Sequence, residues 1–505
     1  MAKRPNFVVI VADQLRVDCL PGFNDQTPVR APHLDRLASQ GVRFAQAFTQ
    51  HSVCSPSRVS FLSGRYPHVG GHRTLQYLLS ADDPNFLRTF KDNGYHVVHA
   101  GARGDTFAAG AAEGSLHAHG FSDPALTDLR DFFRPRNPAP VGSLQRAHYE
   151  GEKTAERLGV ETGIETSIDK DTKTSVNIGF DEAVIRTAEA WLAQEHAEPW
   201  VLYIPLISPH PPFAAQQPWF SMYSRPSMAP PRQGSGPHPQ FHAELARLHG
   251  WDQLRLEDWQ ELRAVYAGMV SYLDSLVGRV MASVERHHAH SPTYTAFFSD
   301  HGEYLGDFGL VEKWPAGVEE CLVRTPLIVS GPGIAGGGES DALIELIDVF
   351  PTLLDLAGLE ADHPHYGLSF AGCLQDCSRE HRDEVFSEGG FREAEADLFE
   401  RGAYPYDLKS QLQHDQPRSV GKVVARRDRQ WTYVWRLYEP AQLFDRVSDP
   451  HEQHNLAGQA RYGAIEQQLL AKVLRWQVET ADLIDPRQQE RFAKVDLPRP
   501  VQPRH

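Results

Sequence analysis

Residues 54 to 65 read Cys-Ser-Pro-Ser-Arg-Val-Ser-Phe-Leu-Ser-Gly-Arg, which places a nucleophilic sulfur, a helix-starting proline and a guanidinium close together. Pro56 and Arg58 suit a loop feeding a helix N-terminus, where free backbone N–H groups and the positive dipole end favour an anion. Two carboxylates stand at the ends of apolar runs: Asp13 after residues 6–12, and Asp300 after residues 293–298. Open sheets bind ligands at the carboxyl edges of their strands, so the spacing predicts that both acids reach one place. His301 follows Asp300 directly, and His210 follows another apolar run; an imidazole titrates near neutrality and suits proton transfer. Arg103 offers a forked cation matched to a tetrahedral oxyanion, with Asp105 two residues on.

The elements that must carry these groups alternate from the start. Residues 8–11 read as a strand, 32–38 as a helix with proline near its first turn, 42–48 as extended, 86–90 as a helical stripe and 95–99 as a strand. Helix follows at 181–194, a buried strand at 200–206, a long helix over 258–287 and a strand at 293–298. This alternation predicts an α/β fold with a large mixed, largely parallel sheet flanked by helices. After about residue 375 the pattern changes to a hairpin at 423–427 and 431–435, a helix over 462–481 and a tail. At 505 residues the chain exceeds one core, so a catalytic domain over 1–375 and a smaller antiparallel subdomain over 376–505 are expected. Residues 151–174 and the proline-rich 211–239 interrupt the rhythm and are candidate rims or lids.

The composition, 41% hydrophobic and 23% charged, is that of a globular protein. A net charge of −16 argues against nucleic acid or an anionic membrane as partner. The first apolar run is too short for a signal peptide or membrane span, so the protein as given reads as cytoplasmic or as having lost a leader. The five cysteines are few and odd in number, and all but Cys54 read as reduced packing residues.

The 54–65 segment resembles the sulfatase signature, in which the leading cysteine of a C-x-P-x-R core is oxidised to formylglycine. The segment Ser299-Asp300-His301-Gly302-Glu303-Tyr304-Leu305-Gly306 resembles the same family's S-D-H-G-E-x-L-G, and segments at 266–274, 324–328, 348–354 and 443–456 follow in family order. The resemblance implies an alkaline phosphatase-like fold and hydrolysis of an organic sulfate monoester to alcohol and sulfate. Cys54 would be the nucleophile after conversion by a formylglycine-generating enzyme, because a geminal diol can expel sulfate by collapsing to the aldehyde. Arg58 would pair with it. The resemblance also implies one divalent cation held by Asp13, Gln14, residue 54, Asp300 and His301. Oxygen ligands favour Ca²⁺ or Mg²⁺ and one imidazole admits Mn²⁺; the family tilts the choice to Ca²⁺. Gln14 stands where many members have a second aspartate, and it either coordinates through its carbonyl or supports a ligand from behind. Lys313 matches a lysine that contacts sulfate, and His210 a histidine that protonates the leaving alcohol or steadies the anion.

One segment departs from the family. Where most members have G-K-x-H, the chain reads Gly101-Ala102-Arg103-Gly104-Asp105. Arg103 could replace the lysine, and Asp105 could orient Arg103 or contact the organic part of the substrate. His72, Arg73 and Tyr77, beyond the signature, are further candidates for substrate contact. Phosphonate monoester or phosphodiester hydrolysis by a related formylglycine branch stays open, as does an anion-binding relative with an unmodified Cys54. The alcohol and the oligomeric state are not written in the sequence.

Overall fold

The computed structural model describes residues 3–101, 103–122, 138–152, 179–196 and 199–484. The apolar runs become strands: β1 (Asn6–Asp13), β2 (Gly41–Phe48), β3 (His96–Ala100) and β4 (Ala118–Gly120). A short β5 (Tyr149–Glu152) precedes β6 (Trp200–Pro209) and β7 (Phe213–Ala215), followed by β8 (Thr293–Ser299), β9 (Arg324–Ser330) and β10 (Gly338–Glu345). Eight of them form one sheet in the order β10-β2-β9-β8-β1-β6-β3-β4, parallel throughout except where β9 runs against β2 and β8. The expected mixed, largely parallel sheet is therefore present. β1 lies between β8 and β6, buried along its whole length, as a central strand of β-branched residues should be.

Successive side chains of β1 point to opposite faces and seed two cores. Val8, Ile10 and Ala12 pack with the helices Pro32–Ser39, Phe180–Leu192 and Leu256–His288. Phe7, Val9 and Val11 pack with Cys54–Ser63, Phe86–Asp92 and Val349–Ala357. The sheet is thus covered on both faces and opens only at its edges.

A second, four-stranded antiparallel sheet follows: β11 (Val385–Gly389), β12 (Val423–Arg427), β13 (Trp431–Arg436) and β14 (Gln442–Asp445). The helix Gly463–Glu479 covers one face, with Trp476 stacked on Phe386 at 4.7 Å between ring centroids. The other face, through Val385, Val423, Ala425 and Val434, joins the core of the large sheet. β11 also docks against the link between β2 and the Cys54 helix, where Glu388 N donates to Gln50 O at 2.8 Å and Ser387 Oγ to Thr49 O at 2.6 Å.

The proline-rich stretch forms no lid. β7 pairs with β5, and Trp219 packs on Tyr272 of the long helix at 4.9 Å. Most of the 151–174 stretch, and the tail, lie outside the described residues. Among the described residues, no helix is long and apolar enough to cross a membrane.

Candidate active site

Parallel strands deliver the chemistry to one edge. Asp13 is the last residue of β1, Asp300 follows β8, His210 follows β6 and Arg103 follows β3. Cys54 is the first residue of a helix whose ten residues are all buried and which ends on Gly64 at φ 69°, a left-handed cap that glycine adopts without steric cost. Cys54 Sγ lies 3.6 Å from Asp13 Oδ1 and 3.2 Å from His301 Nε2. His301 Nε2 is 3.6 Å from Asp13 Oδ1 and 3.8 Å from Asp300 Oδ1. The four donor atoms fall within 4.8 Å of one another, and all four residues are buried.

This cluster fits a divalent cation. His301 Nδ1 lies 2.9 Å from Gly302 O, which fixes the proton there and turns the Nε2 lone pair to the cluster. Asp300 Oδ1 accepts the N–H groups of Gln14 and His301, while Oδ2, among the described residues, accepts no hydrogen bond although Arg58 Nη2 is 2.8 Å away. Burial and the neighbouring Asp13 charge push the Asp300 carboxyl up from its ordinary value. A bound cation would relieve that repulsion, and two carboxylates with one imidazole suit Ca²⁺, Mg²⁺ or Mn²⁺.

Two guanidiniums flank the cluster. Arg58 Nη2 lies 3.2 Å from Asp13 Oδ2 and Arg58 Nε lies 3.1 Å from Asp105 Oδ2. Arg103 pairs through Nη2 with the same Asp13 oxygen, through Nε with Asp105 Oδ2 at 2.7 Å, and donates from Nη1 to Leu206 O at 2.7 Å. Burial alone would raise the Asp13 carboxyl, but neighbouring cations, Arg103 and Arg58 among them, outweigh it and hold it well below its ordinary value. Burial and the Asp13 charge push the Cys54 thiol well up, so before any modification this sulfur is protonated.

Gln14 adopts φ 64°, in the left-handed region, and its amide is held at both ends. Nε2 donates to Glu303 Oε2, and Oε1 accepts from Lys313 Nζ at 2.5 Å. Lys313 therefore reaches the floor of the cluster. Above it opens a cavity of about 430 Å³ lined by Cys54, Arg103, Asp105, His210, Lys313 and residues of the C-terminal segment. His210 Nδ1 lies 2.6 Å from Pro211 O, which leaves Nε2 to face the cavity. Burial and Lys313 hold its pKa down at about 3.

The structure thus gathers Asp13, Gln14, Cys54, Arg58, Arg103, Asp105, His210, Asp300, His301 and Lys313 about one edge of the sheet. It does not bring His72, Arg73 or Tyr77 to the cavity. Arg73 turns to Gly390 O and Glu395, His72 Nδ1 engages Tyr77 O, and Tyr77 is 44% exposed; Leu75 and Gln76 of the same stretch line the wall instead. The far wall comes from Glu400, Tyr406, Lys409 and Gln413, which sequence reasoning missed. Pro405 before the helix Asp407–Asp415 is a legible helix start, but nothing local says what that helix faces.

A family model described as Sulfatase matches residues 5–359. The chain is 28% identical to a choline-sulfatase of Rhizobium meliloti (strain 1021), an alignment covering 95% of this chain and 88% of that protein. It is 27% identical to the multifunctional alkaline phosphatase superfamily protein PehA of Trinickia caryophylli, over 95% and 96% of the two chains. Among solved structures, the phosphonate monoester hydrolase SpPMH from Silicibacter pomeroyi superposes with a TM-score of 0.70 at 24% identity, covering 94% of this chain and 96% of that one.

Proposed function

The chain belongs to the sulfatase family of hydrolases, and on that basis we propose that it cleaves an organic sulfate monoester into an alcohol and inorganic sulfate. The observation that carries the reading is the convergence of Asp13, Cys54, Asp300 and His301 beside Arg58 at the start of a buried helix. Asp13, residue 54, Asp300 and His301 would hold one divalent cation, Ca²⁺ by family resemblance, with Gln14 beside them. Bound there, such an ion would supply polarisation of a sulfate oxygen and charge for the attacking hydroxyl. Formylglycine at position 54, installed by a converting enzyme, supplies a geminal diol in place of the thiol.

The remaining residues divide the work by charge and position. Arg58 and Arg103 hold the Asp13 carboxylate ionised and in place, while Lys313, at the cavity floor, balances the sulfate oxygens. Asp105, paired with both guanidiniums, holds them in place at the cavity wall. His210 is neutral before substrate arrives. An anion beside its Nε2 favours the proton that it then hands to the leaving alcohol.

A second reading, hydrolysis of phosphonate monoesters or phosphodiesters, is favoured by one observation: Arg103 and Asp105 stand where most sulfatases carry lysine and histidine, and a forked cation serves phosphorus oxyanions equally. Release of sulfate from aryl, alkyl and sugar sulfates, set against release from aryl phosphonates and aryl phosphodiesters, decides between the two. The peptide spanning Cys54 should be lighter by about 18 Da than its unmodified mass, the loss fixed by conversion of cysteine to formylglycine. An unmodified peptide with no hydrolysis of either ester class would make the protein an anion-binding relative.

A further inference from the structure

The family match ends at residue 359, yet the cavity is closed by residues beyond it, and of these Lys409 pairs with a buried carboxylate beside Lys313. Its side chain is buried; Nζ pairs with Glu312 Oε2 and donates to Lys313 O at 2.8 Å. Glu312 is 1% exposed and sits at φ 70°, with its N–H taken by Glu303 Oε1. Among the described residues, its Oε1 accepts no hydrogen bond, and it lies 3.6 Å from Lys313 Nζ. The other groups facing this carboxylate are the Tyr406 hydroxyl, His210 Nε2 at 3.9 Å and His148 Nε2 at 3.9 Å. Burial, with Lys313 against His210, holds these imidazoles near pKa 3 and 4 respectively, so neither supplies a counter-charge at neutral pH.

Two ammonium groups therefore compete for one buried carboxylate. While Lys409 occupies Glu312, Lys313 Nζ extends to Gln14 Oε1 and stands beside Cys54. Without Lys409, Glu312 would be a buried charge short of a partner, a state that breaking a buried pair makes strongly unfavourable. Lys313, already 3.6 Å away, is the cation able to relieve it, and relief would draw it off the anion side. We propose that Lys409 is a positioning residue: by occupying Glu312 it leaves Lys313 to the substrate anion. The proposal rests on the reading of this cavity as an anion site, and it sets a specific role for a segment outside the family match.

Inorganic sulfate, titrated calorimetrically into the full-length protein in Ca²⁺-containing buffer, tests it. Lys409→Met should raise the sulfate dissociation constant by about tenfold or more, and Lys409→Arg should stay within about threefold of wild type. The deciding variant is the double Glu312→Gln, Lys409→Met. With no carboxylate left to capture Lys313, it should return to within about threefold of wild type, a coupling that a cycle of variants isolates. A merely structural Lys409 gives a double variant as weak as Lys409→Met, which would overturn the proposal, as would a Lys409→Met that binds sulfate like wild type. Should Lys409→Met not fold, a folded double variant that binds sulfate supports the proposal and one that does not overturns it. Wild type that binds sulfate but hydrolyses no sulfate ester would sink the proposed function while the titration still judges Lys409; wild type that binds no sulfate sinks both.

Discussion

Asp105 Oδ2 lies 3.1 Å from Arg58 Nε. The same oxygen is 2.7 Å from Arg103 Nε, so one carboxylate braces two guanidiniums that both press on Asp13. An aspartate that looks misplaced beside an anion in the sequence is, in three dimensions, neutralised by the two guanidiniums it braces at the cavity wall.

That brace makes Arg103 a demanding position. Arg103→Ala removes a partner of Asp13 and leaves Asp105 half-paired, and kcat/KM should fall by about a hundredfold or more, several kcal/mol of transition-state stabilisation. Arg103→Lys should retain more activity, although it cannot bond Asp13, Asp105 and Leu206 O together. A Arg103→Ala enzyme within about threefold of wild type, under 1 kcal/mol, would show that the guanidinium does not serve the reaction.

Asp300→Ala should abolish stoichiometric metal. Among the described residues, its Oδ2 accepts no hydrogen bond, and its Oδ1 is already oriented by two backbone N–H groups. Metal analysis of protein purified without chelator checks this directly; equal content in variant and wild type would refute the ligand assignment.

Gln14→Glu should destabilise the fold. The amide nitrogen donates to Glu303, so a carboxylate there would set two acids face to face in a fully buried position. The loss should be on the order of 2 kcal/mol or more in denaturant unfolding, the scale of an unmatched buried polar group. Unchanged stability would mean that the amide is not wedged as described.

The expected pH response lies far from the site. Asp274 caps the helix Pro32–Ser39 by accepting the N–H groups of His33 and Leu34, and burial lifts its pKa from 3.8 to about 6. A carboxyl whose folded pKa is raised binds its proton more tightly in the native state. Its stabilisation is complete below pH 3.8 and lost as pH rises through about 6. Stability relative to Asp274→Asn should therefore decline between those limits by on the order of 2–3 kcal/mol. A flat difference across that range would contradict it.

What the sequence revealed depended on how local each signal was. Asp13 and Asp300 were readable because β-branched runs mark strands and strand ends mark the ligand-binding edge. Arg58 and Cys54 came from a short contiguous motif. The Lys409–Glu312 pair links residues far apart in sequence, and neither sits in a periodic pattern that announces a partner. Arg73 misled for the same reason: a cation just past the signature helix points wherever a distant carbonyl and carboxylate draw it, here to Gly390 and Glu395. The proline-rich stretch looked like a lid because its composition is irregular, whereas its aromatic residues are taken up by the long helix.

The residues of the cavity's far wall lie late in the chain, so the site is completed late in synthesis. β1 is made first and carries Asp13, but the cavity beside it acquires its far wall only when Lys409 and the strands around it have been translated. At ribosomal rates of about 5–20 residues per second, that delay is tens of seconds. During this interval the cavity lacks its far wall and Glu312 lacks the Lys409 ammonium. A ribosome that stops early therefore releases a chain with an unwalled site, and activity should appear abruptly with chain length rather than grow with it.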